Sequence, residues 1–387
     1  MDFSLKAYRR RGRIRRNQER LRQEMVRYES AFEAGGLEIP DDAAIRRLLR
    51  DRFPLLRPKP RGTLSIIAVY HHYNWEDTSL RPALERFGRV RCYDWFGAYD
   101  HGHPDWRVSV KKEMNRDLVK RIRSWVSEER PDVIFTYLSG ELISPETARM
   151  LRDFGVPMIH FCLNDKENFV GKIRDGLAFG SRDICRYFDL AWTSTADALK
   201  KYCVEGAIPI YLPEGANPEI HRPLGIEKTI DVSFVGQNYG NRPQIIRRLG
   251  EAGINVETFG QGWQGGSLST EEMVRVYSRS RINLGFGGVD GCQETYCLKG
   301  RDFEIPMSGG LYLTERHPEL ETVYDLGREI VAYQDFDDLV GKIRHLLDHT
   351  EEAESIRQAG FSRARRDHTW EMRFDKILTL MNLVQPQ

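Results

Sequence analysis

The sequence predicts an α/β protein built from two doubly wound, Rossmann-like domains, and three observations carry that expectation. The chain has 387 residues, more than one hydrophobic core normally serves. Short apolar runs alternate with amphipathic segments along most of its length, the βα rhythm of a parallel sheet covered by helices. A stretch with three prolines, 212–223 (LPEGANPEIHRP), interrupts that rhythm once and reads as an interdomain linker.

Residues 1–60 read as a basic helical extension. Residues 1–22 hold nine Lys/Arg against two carboxylates, a local charge of +7 in a protein of formal net charge +1. Leu21, Met25, Tyr28 and Phe32 are spaced four, three and four, one face of a helix that Gly35-Gly36 stops. The face implies packing on the body; the arginines equally suit an anionic membrane or a polyanionic acceptor. Because the segment precedes the first predicted strand, its removal is expected to leave both sheets intact.

The first domain is expected over 61–212. Thr63–Tyr70 (TLSIIAVY) is a nearly continuous apolar run, as a strand buried on both faces requires. A helix over about Asp77–Phe87, a strand near Val90–Tyr93 and a long helix around Val108–Glu129 follow; the last carries Met114, Leu118, Ile122 and Trp125 on one stripe. The strand Val133–Tyr137, a helix from Pro145, and the strands Pro157–Cys162 and Leu190–Thr193 complete the domain.

The second domain is expected over 213–370, with the rhythm restarting at the strand Asp231–Val235. Helix Pro243–Ala252, strand Asn255–Phe259, helix Thr270–Arg279, strand Arg281–Gly285, helix Gly300–Met307 and strand Gly310–Thr314 follow. Strand Glu329–Tyr333 and helices from Phe336, Ala353 and Trp370 end it, and 371–387 is expected to form a C-terminal helix crossing back to the first domain.

Composition excludes several classes. With 58 Lys+Arg against 57 Asp+Glu there is no overall charge to attract nucleic acid. No apolar run approaches the roughly 20 residues that span a bilayer, and the first residues lack a secretory signal, so the expected location is cytoplasmic. The six cysteines are scattered without zinc-ligand spacing and read as reduced core residues.

Two stretches carry chemistry. In Cys297–Glu315 (CLKGRDFEIPMSGGLYLTE), a helix bearing Lys299, Arg301 and Glu304 ends in Gly309-Gly310 and feeds a strand. Cations can neutralise a diphosphate, glycines allow close backbone approach, and a carboxylate can accept ribose hydroxyls; the same residues also suit a charged surface helix with a glycine cap. Gly236-Gln237-Asn238-Tyr239-Gly240-Asn241-Arg242 forms a glycine turn between a strand and a helix, where α/β ligands usually sit. No GxGxxG and no Walker sequence is present, which removes support for a dehydrogenase or a P-loop NTPase.

On these phrases, together with LPEGANPEIHRP, DVSFVGQNYGNR, KGRDFEIPMSGG, GREIVAYQDFDDLVGKIRHLLDH and HTWEMR, the C-terminal half resembles the CgeB-like, group-1 glycosyltransferase family of the GT-B fold. The resemblance spans roughly 212–373, and Asn164-Asp165 is similar to a family position in the first domain. It implies two Rossmann-like domains facing each other across a cleft. It also implies transfer of a sugar, with retained configuration, from a nucleotide-diphosphate donor held by the C-terminal domain to an acceptor on the N-terminal one. By its spacing to Gly309, Glu304 matches the second of two family glutamates and takes the ribose, and Gly309 and Gly310 match a turn facing the diphosphate. The first glutamate position is Tyr296 here, with Glu294 nearby but out of register.

The C-terminal half has no DxD motif at a strand end, so the expected enzyme uses neither metal nor cofactor beyond its nucleotide-sugar co-substrate, and Arg242, Lys299 and Arg301 face the leaving diphosphate. One of Lys299 and Arg301 is open to a structural role, because helix positions two apart point in different directions. Gly236 and Asn238 complete the expected donor site. On the acceptor side, Asp165 after the strand PMIHFCLN and His71 after the first strand are the candidate catalytic groups. A loop cap explains Asp165 equally well, and a core histidine explains His72 better. The acceptor, whether a glycan, a lipid-linked or a small molecule, is not legible. A nucleotide-sugar epimerase and a catalytically silent assembly protein remain as alternatives.

Overall fold

The computed structural model describes residues 2–73, 75–289, 292 and 295–386, with side chains described from residue 12 onward. The chain divides into two compact units, one of Met1–Arg20 and Glu214–Met372, the other of Leu21–Pro213 and Arg373–Gln387. Each contains its own parallel sheet, and both are Rossmann-like.

The sheet of the 21–213 unit comprises β1 (Leu64–Tyr70), β2 (Gly88–Asp94), β3 (Val133–Tyr137), β4 (Met158–Cys162), β7 (Leu190–Thr193) and β8 (Pro209–Tyr211), in the order β2-β1-β3-β4-β7-β8. A two-stranded hairpin, β5 (Ile173–Arg174) with β6 (Leu177–Ala178), lies between β4 and β7 in the chain. Apolar β1 is buried along almost its whole length because helices cover both faces. Ile67, Val69 and Ile134 pack against Met114, Leu118 and Ile122, the stripe of the helix Lys111–Glu128. The helix expected over Asp77–Phe87 is present, as a wide π-type turn over Glu76–Leu80 continued by the α-helix Arg81–Glu85.

The sheet of the other unit comprises β9 (Ile230–Val235), β10 (Glu257–Phe259), β11 (Ser280–Leu284), β12 (Tyr312–Glu315) and β13 (Val331–Tyr333), ordered β10-β9-β11-β12-β13. In both sheets the first strand lies between the second and the third, so the chain leaves it in one direction and returns on its other side. Such a reversal creates a crevice at the carboxyl ends of the central strands. These ends are followed by His71-His72 after β1 and by Gly236–Arg242 after β9.

The proline-rich stretch carries the chain from one unit to the other between Pro213 and Glu214. From Glu214 on it is built into the second unit, where the Ala216 amide donates to the His368 carbonyl (2.9 Å) and Ala216 and His221 are buried. One expectation is corrected by packing: the N-terminal extension is not removable as a whole. It forms one helix, Asp2–Ala34, and its Leu21–Ala34 part is seated in the 21–213 unit. Tyr28 is buried edge-on against Phe169 (5.6 Å) and donates to Glu205, while Lys201, itself buried, pairs with Glu24 at 2.7 Å. Lys6, Arg9, Arg10 and Arg11 lie outside the described side chains. Among the described residues no helix is long and apolar enough to cross a membrane. Of the six cysteines, none of which is in a disulfide, only Cys162 and Cys185 are buried.

Candidate functional site

The glycine turn after β9 and the start of the helix Gly300–Met307 bring three cations to one region of the Glu214–Met372 unit. Arg242 opens the helix Arg242–Glu251 and is almost wholly buried, its Nη1 donating to the Gln237 carbonyl (3.0 Å) and its guanidinium lying over Tyr239 (4.0 Å). Arg301 shares the Phe234 ring with it, at 5.5 Å against 5.4 Å. Burial and then Arg301 push the Arg242 guanidinium below its usual range, the expected effect of two adjacent cations. For Arg301 itself burial acts downward but is outweighed by Tyr312, Tyr277 and Asp302. Lys299 precedes the helix and reaches Cys297 Sγ at 3.1 Å; burial is again outweighed, here by Cys297, and its pKa is raised. Both expected partners of the helix, Lys299 and Arg301, thus keep their charge.

Glu304 lies just over a turn along this helix, and its side chain folds back toward the N-terminus as helical side chains do. A Cβ on Gly300 would sit 3.1 Å from Glu304 Oε1 and 3.4 Å from Glu214 Oε2, so the two carboxyls flank the same glycine. Burial, with Glu304 as the next cause, pushes the Glu214 carboxyl up to about 8. His221 completes the group. Its Nδ1 accepts from the Asn217 amide (3.3 Å), which leaves the proton of a neutral ring on Nε2, 3.9 Å from Glu304 Oε1. Among the described residues His221 Nε2, Tyr277 Oη and Arg301 Nε are buried without a hydrogen-bond partner. Native interiors rarely leave such groups unmet, and here Tyr277 and Arg301 are electrostatic neighbours and Tyr277 and His221 both sense Glu304. Glu214 and His221 went unassigned in the sequence because they sit in the stretch that reads as a linker; the signal was their place in the phrase LPEGANPEIHRP.

The other expected donor residues are placed differently. The Gly236 amide donates to the Phe259 carbonyl (2.8 Å), and Asn238 spends its side-chain amide on the Gly262 carbonyl (2.8 Å). Both tie the turn after β9 to the end of β10 and the turn that follows it. Gly309 and Gly310 are corrected outright. Gly309 has φ +69° and donates to the Pro306 carbonyl, and Gly310 donates to the Ile305 carbonyl, both at 2.9 Å: a glycine cap closing the C-terminus of the helix. Eight residues of helix separate them from Lys299 by roughly 12 Å, and their amides are already used, so they do not face a diphosphate bound near Lys299. Tyr296 stacks on His317 (5.8 Å, 3°) beside a cavity of about 280 Å3 that Asn241, Glu315, Arg316 and Tyr333 also line. Glu294 lies outside the described residues.

In the 21–213 unit both expected catalytic groups are corrected. Asp165 is fully buried; its Oδ1 accepts from Ser181 (2.9 Å) and its Oδ2 from Tyr202 (2.7 Å), and that closed network has no surface for an acceptor. His71 turns inward among Tyr73, Trp95, Phe96 and His101, and burial pushes its pKa down. Its neighbour His72 is the better-placed base. His72 Nδ1 bonds Asp94 Oδ2 at the end of β2, with Asp77 Oδ2 3.7 Å away. Hydrogen bonding to Asp94 raises the His72 pKa, and an imidazole oriented through Nδ1 presents Nε2 for proton transfer. These three side chains are also the one described group whose ligand atoms are close enough to share a cation.

Residues 242–379 match the sequence profile of a family described as glycosyl transferase-like. No curated protein matches the chain. Among solved structures, a glycosyltransferase from Rickettsia africae superposes with TM-score 0.58 at 8% identity, covering 83% of this chain and 98% of that one. Sucrose-phosphate synthase from Thermosynechococcus elongatus gives 0.57 at 12% identity, over 82% and 98%. Anabaena HepE in complex with UDP-glucose gives 0.54 at 9% identity, over 83% and 100%. At such identities the likeness establishes the fold: an α/β protein of GT-B type with two Rossmann-like domains.

Proposed function

We propose that this protein is a glycosyltransferase that moves a sugar from a nucleotide-diphosphate donor to an acceptor, with the donor held by the Glu214–Met372 unit. The observation that carries the reading is the grouping of Arg242, Lys299 and Arg301 with Glu304 and the unmet Nε2–H of His221, inside the stretch that matches the glycosyl transferase-like profile. The cations stabilise the leaving diphosphate without a metal, by fixed charge in a partly desolvated site. Glu304 accepts ribose hydroxyls, and His221 donates to a donor oxygen. That HepE was solved with UDP-glucose supports a nucleotide sugar as the ligand of this fold.

The resemblance to group-1 enzymes supports retention of configuration, which needs no acceptor-side base. The His72–Asp94 pair favours a second reading, inversion with His72 as base. Calorimetric titration with UDP-, GDP- and dTDP-sugars in EDTA tests the proposal: binding followed by transfer or hydrolysis supports it, and proton NMR of the product anomer separates the two outcomes. Isomerised donor would indicate an epimerase, absence of binding an assembly protein, and activity that needs Mn2+ or Mg2+ a metal-dependent site.

A further inference from the structure

A groove of about 510 Å3 on the 21–213 unit belongs to neither group of residues described above. One wall is the helix Lys111–Glu128, and the others are the 140–147 segment after β3 and the β5–β6 hairpin. Its frame is fixed by hydrogen bonds: Asn115 donates to the Leu142 carbonyl (2.9 Å) and accepts from the Ser144 amide (3.0 Å), and the Glu141 amide donates to the Phe179 carbonyl (2.9 Å).

Seven cationic side chains line it against three carboxylates, and one of these, Glu141, is paired with Arg107 at 2.8 Å. Lys112, Arg116, Lys120 and Arg123 are spaced four, four and three along the helix and so form one stripe. Arg174 faces them from the hairpin. All five are exposed, and none has a hydrogen bond or ion pair among the described residues. Like charges at this spacing repel one another, and among the described residues no hydrogen bond or ion pair holds these five side chains in place.

The surface between the charges is apolar: Val119, Met150, Leu177 and Phe179 line the same groove, with Met150 and Leu177 each 45% exposed. Val108, 68% exposed, adjoins Arg107, and Ile173, 57% exposed, adjoins Arg174. A free inorganic anion would use the cations and leave the apolar surface unexplained, and an uncharged lipid would do the reverse.

We propose that this groove binds a phosphate-bearing lipid, its phosphate held by Lys112, Arg116, Lys120 and Arg174 and its acyl chains lying on Met150, Leu177 and Phe179. The proposal rests on the groove alone and not on sugar transfer. The full-length protein is titrated by calorimetry with dihexanoyl phosphatidic acid as monomer and with inorganic phosphate, and sedimented with vesicles of phosphatidylcholine containing phosphatidic acid. The lipid is expected to saturate one site and to bind at least about tenfold more tightly than phosphate. Arg116→Glu with Lys120→Glu should weaken it by at least about tenfold, each lost cation contributing on the scale seen at anionic surfaces. Met150→Ser with Leu177→Ser should weaken the lipid and leave phosphate binding unchanged, a separation that a folding defect would not produce. Vesicle sedimentation should survive removal of residues 1–20 and fall with the charge reversals. Equal affinity for phosphate and lipid would overturn the proposal, as would lipid binding indifferent to the charge reversals, or vesicle association lost only with residues 1–20.

Discussion

The carboxyl of Glu214 supplies the sharpest quantitative expectation. It is pushed up from the ordinary 4.5 to about 8, first by burial and then by Glu304 across Gly300. Between those values the folded protein keeps a proton that the unfolded chain has released. Stability is therefore greatest at the acid side of the window, falls as pH rises through it, and levels off above about 8. A full transfer over that interval corresponds to about 5 kcal/mol; Glu214 is only part-buried, so solvent screens its charge, and a fall of about 2 kcal/mol is expected. Glu214→Gln keeps the shape of the protonated acid and cannot ionise, so it should lack this fall. Urea unfolding at about pH 5.5 and about pH 8 measures it, as the difference between wild type and variant in how much stability each loses. Glu304→Gln should move the wild-type fall to lower pH by removing the neighbouring charge. If wild type and Glu214→Gln lose stability in parallel, Glu214 ionises freely and its carboxyl does not share a desolvated site with Glu304.

The remaining expectations concern the donor, the base and the N-terminus. Lys299→Met should weaken nucleotide-sugar binding by about 1.5–3 kcal/mol, the range of a charge-assisted hydrogen bond, whereas Arg242→Ala should also lower the melting temperature because Arg242 anchors Gln237 and Tyr239; unchanged donor affinity in both would refute the site. If His72 is a base, His72→Gln should cost about 10²–10⁴ in kcat without changing donor affinity. Asp94→Asn removes the interaction that raises the His72 pKa, so the acid limb of the pH profile should move to lower pH. Full activity in His72→Gln would leave the retaining reading standing alone. Removal of residues 1–40 strips Tyr28 from Phe169 and Glu24 from buried Lys201 and should cost about 3–5 kcal/mol; a melting temperature equal to that of the full chain would show that the helix adds nothing to its unit.

The βα rhythm made both sheets legible, because strands buried on two faces are continuous apolar runs and such runs mark their own ends. Val133–Tyr137, Leu190–Thr193 and Thr270–Arg279 are placed residue for residue. Short edge elements were not legible: β8 has three residues and begins with proline, and β5 and β6 have two residues each, too few for any periodicity to register.

The site was legible by residue type and misread by direction. Lys299, Arg301 and Glu304 could be grouped from the sequence because they lie at and within one helix. Gly309 and Gly310 were drawn into the same site by the backbone access glycine allows and by the family turn they match. Yet a helix that runs into a parallel strand must start at the carboxyl edge of the sheet and end at the amino edge, so one helix cannot present both its cations and its closing glycines to one ligand. The histidines fail in the same way. Successive residues leaving a strand point to opposite sides, so His71 and His72 cannot both face inward, and composition does not say which one does. The pairing of β1 with β2 decides it, for the register sets Tyr70 opposite Asp94 and so delivers a carboxylate to the residue that turns toward it. That register depends on the close approach of Gly88 to Leu64, where a Cβ would lie 1.9 Å from the Leu64 carbonyl oxygen. Gly88, the first residue of β2, thus fixes, six residues before Asp94, which histidine has a carboxylate partner.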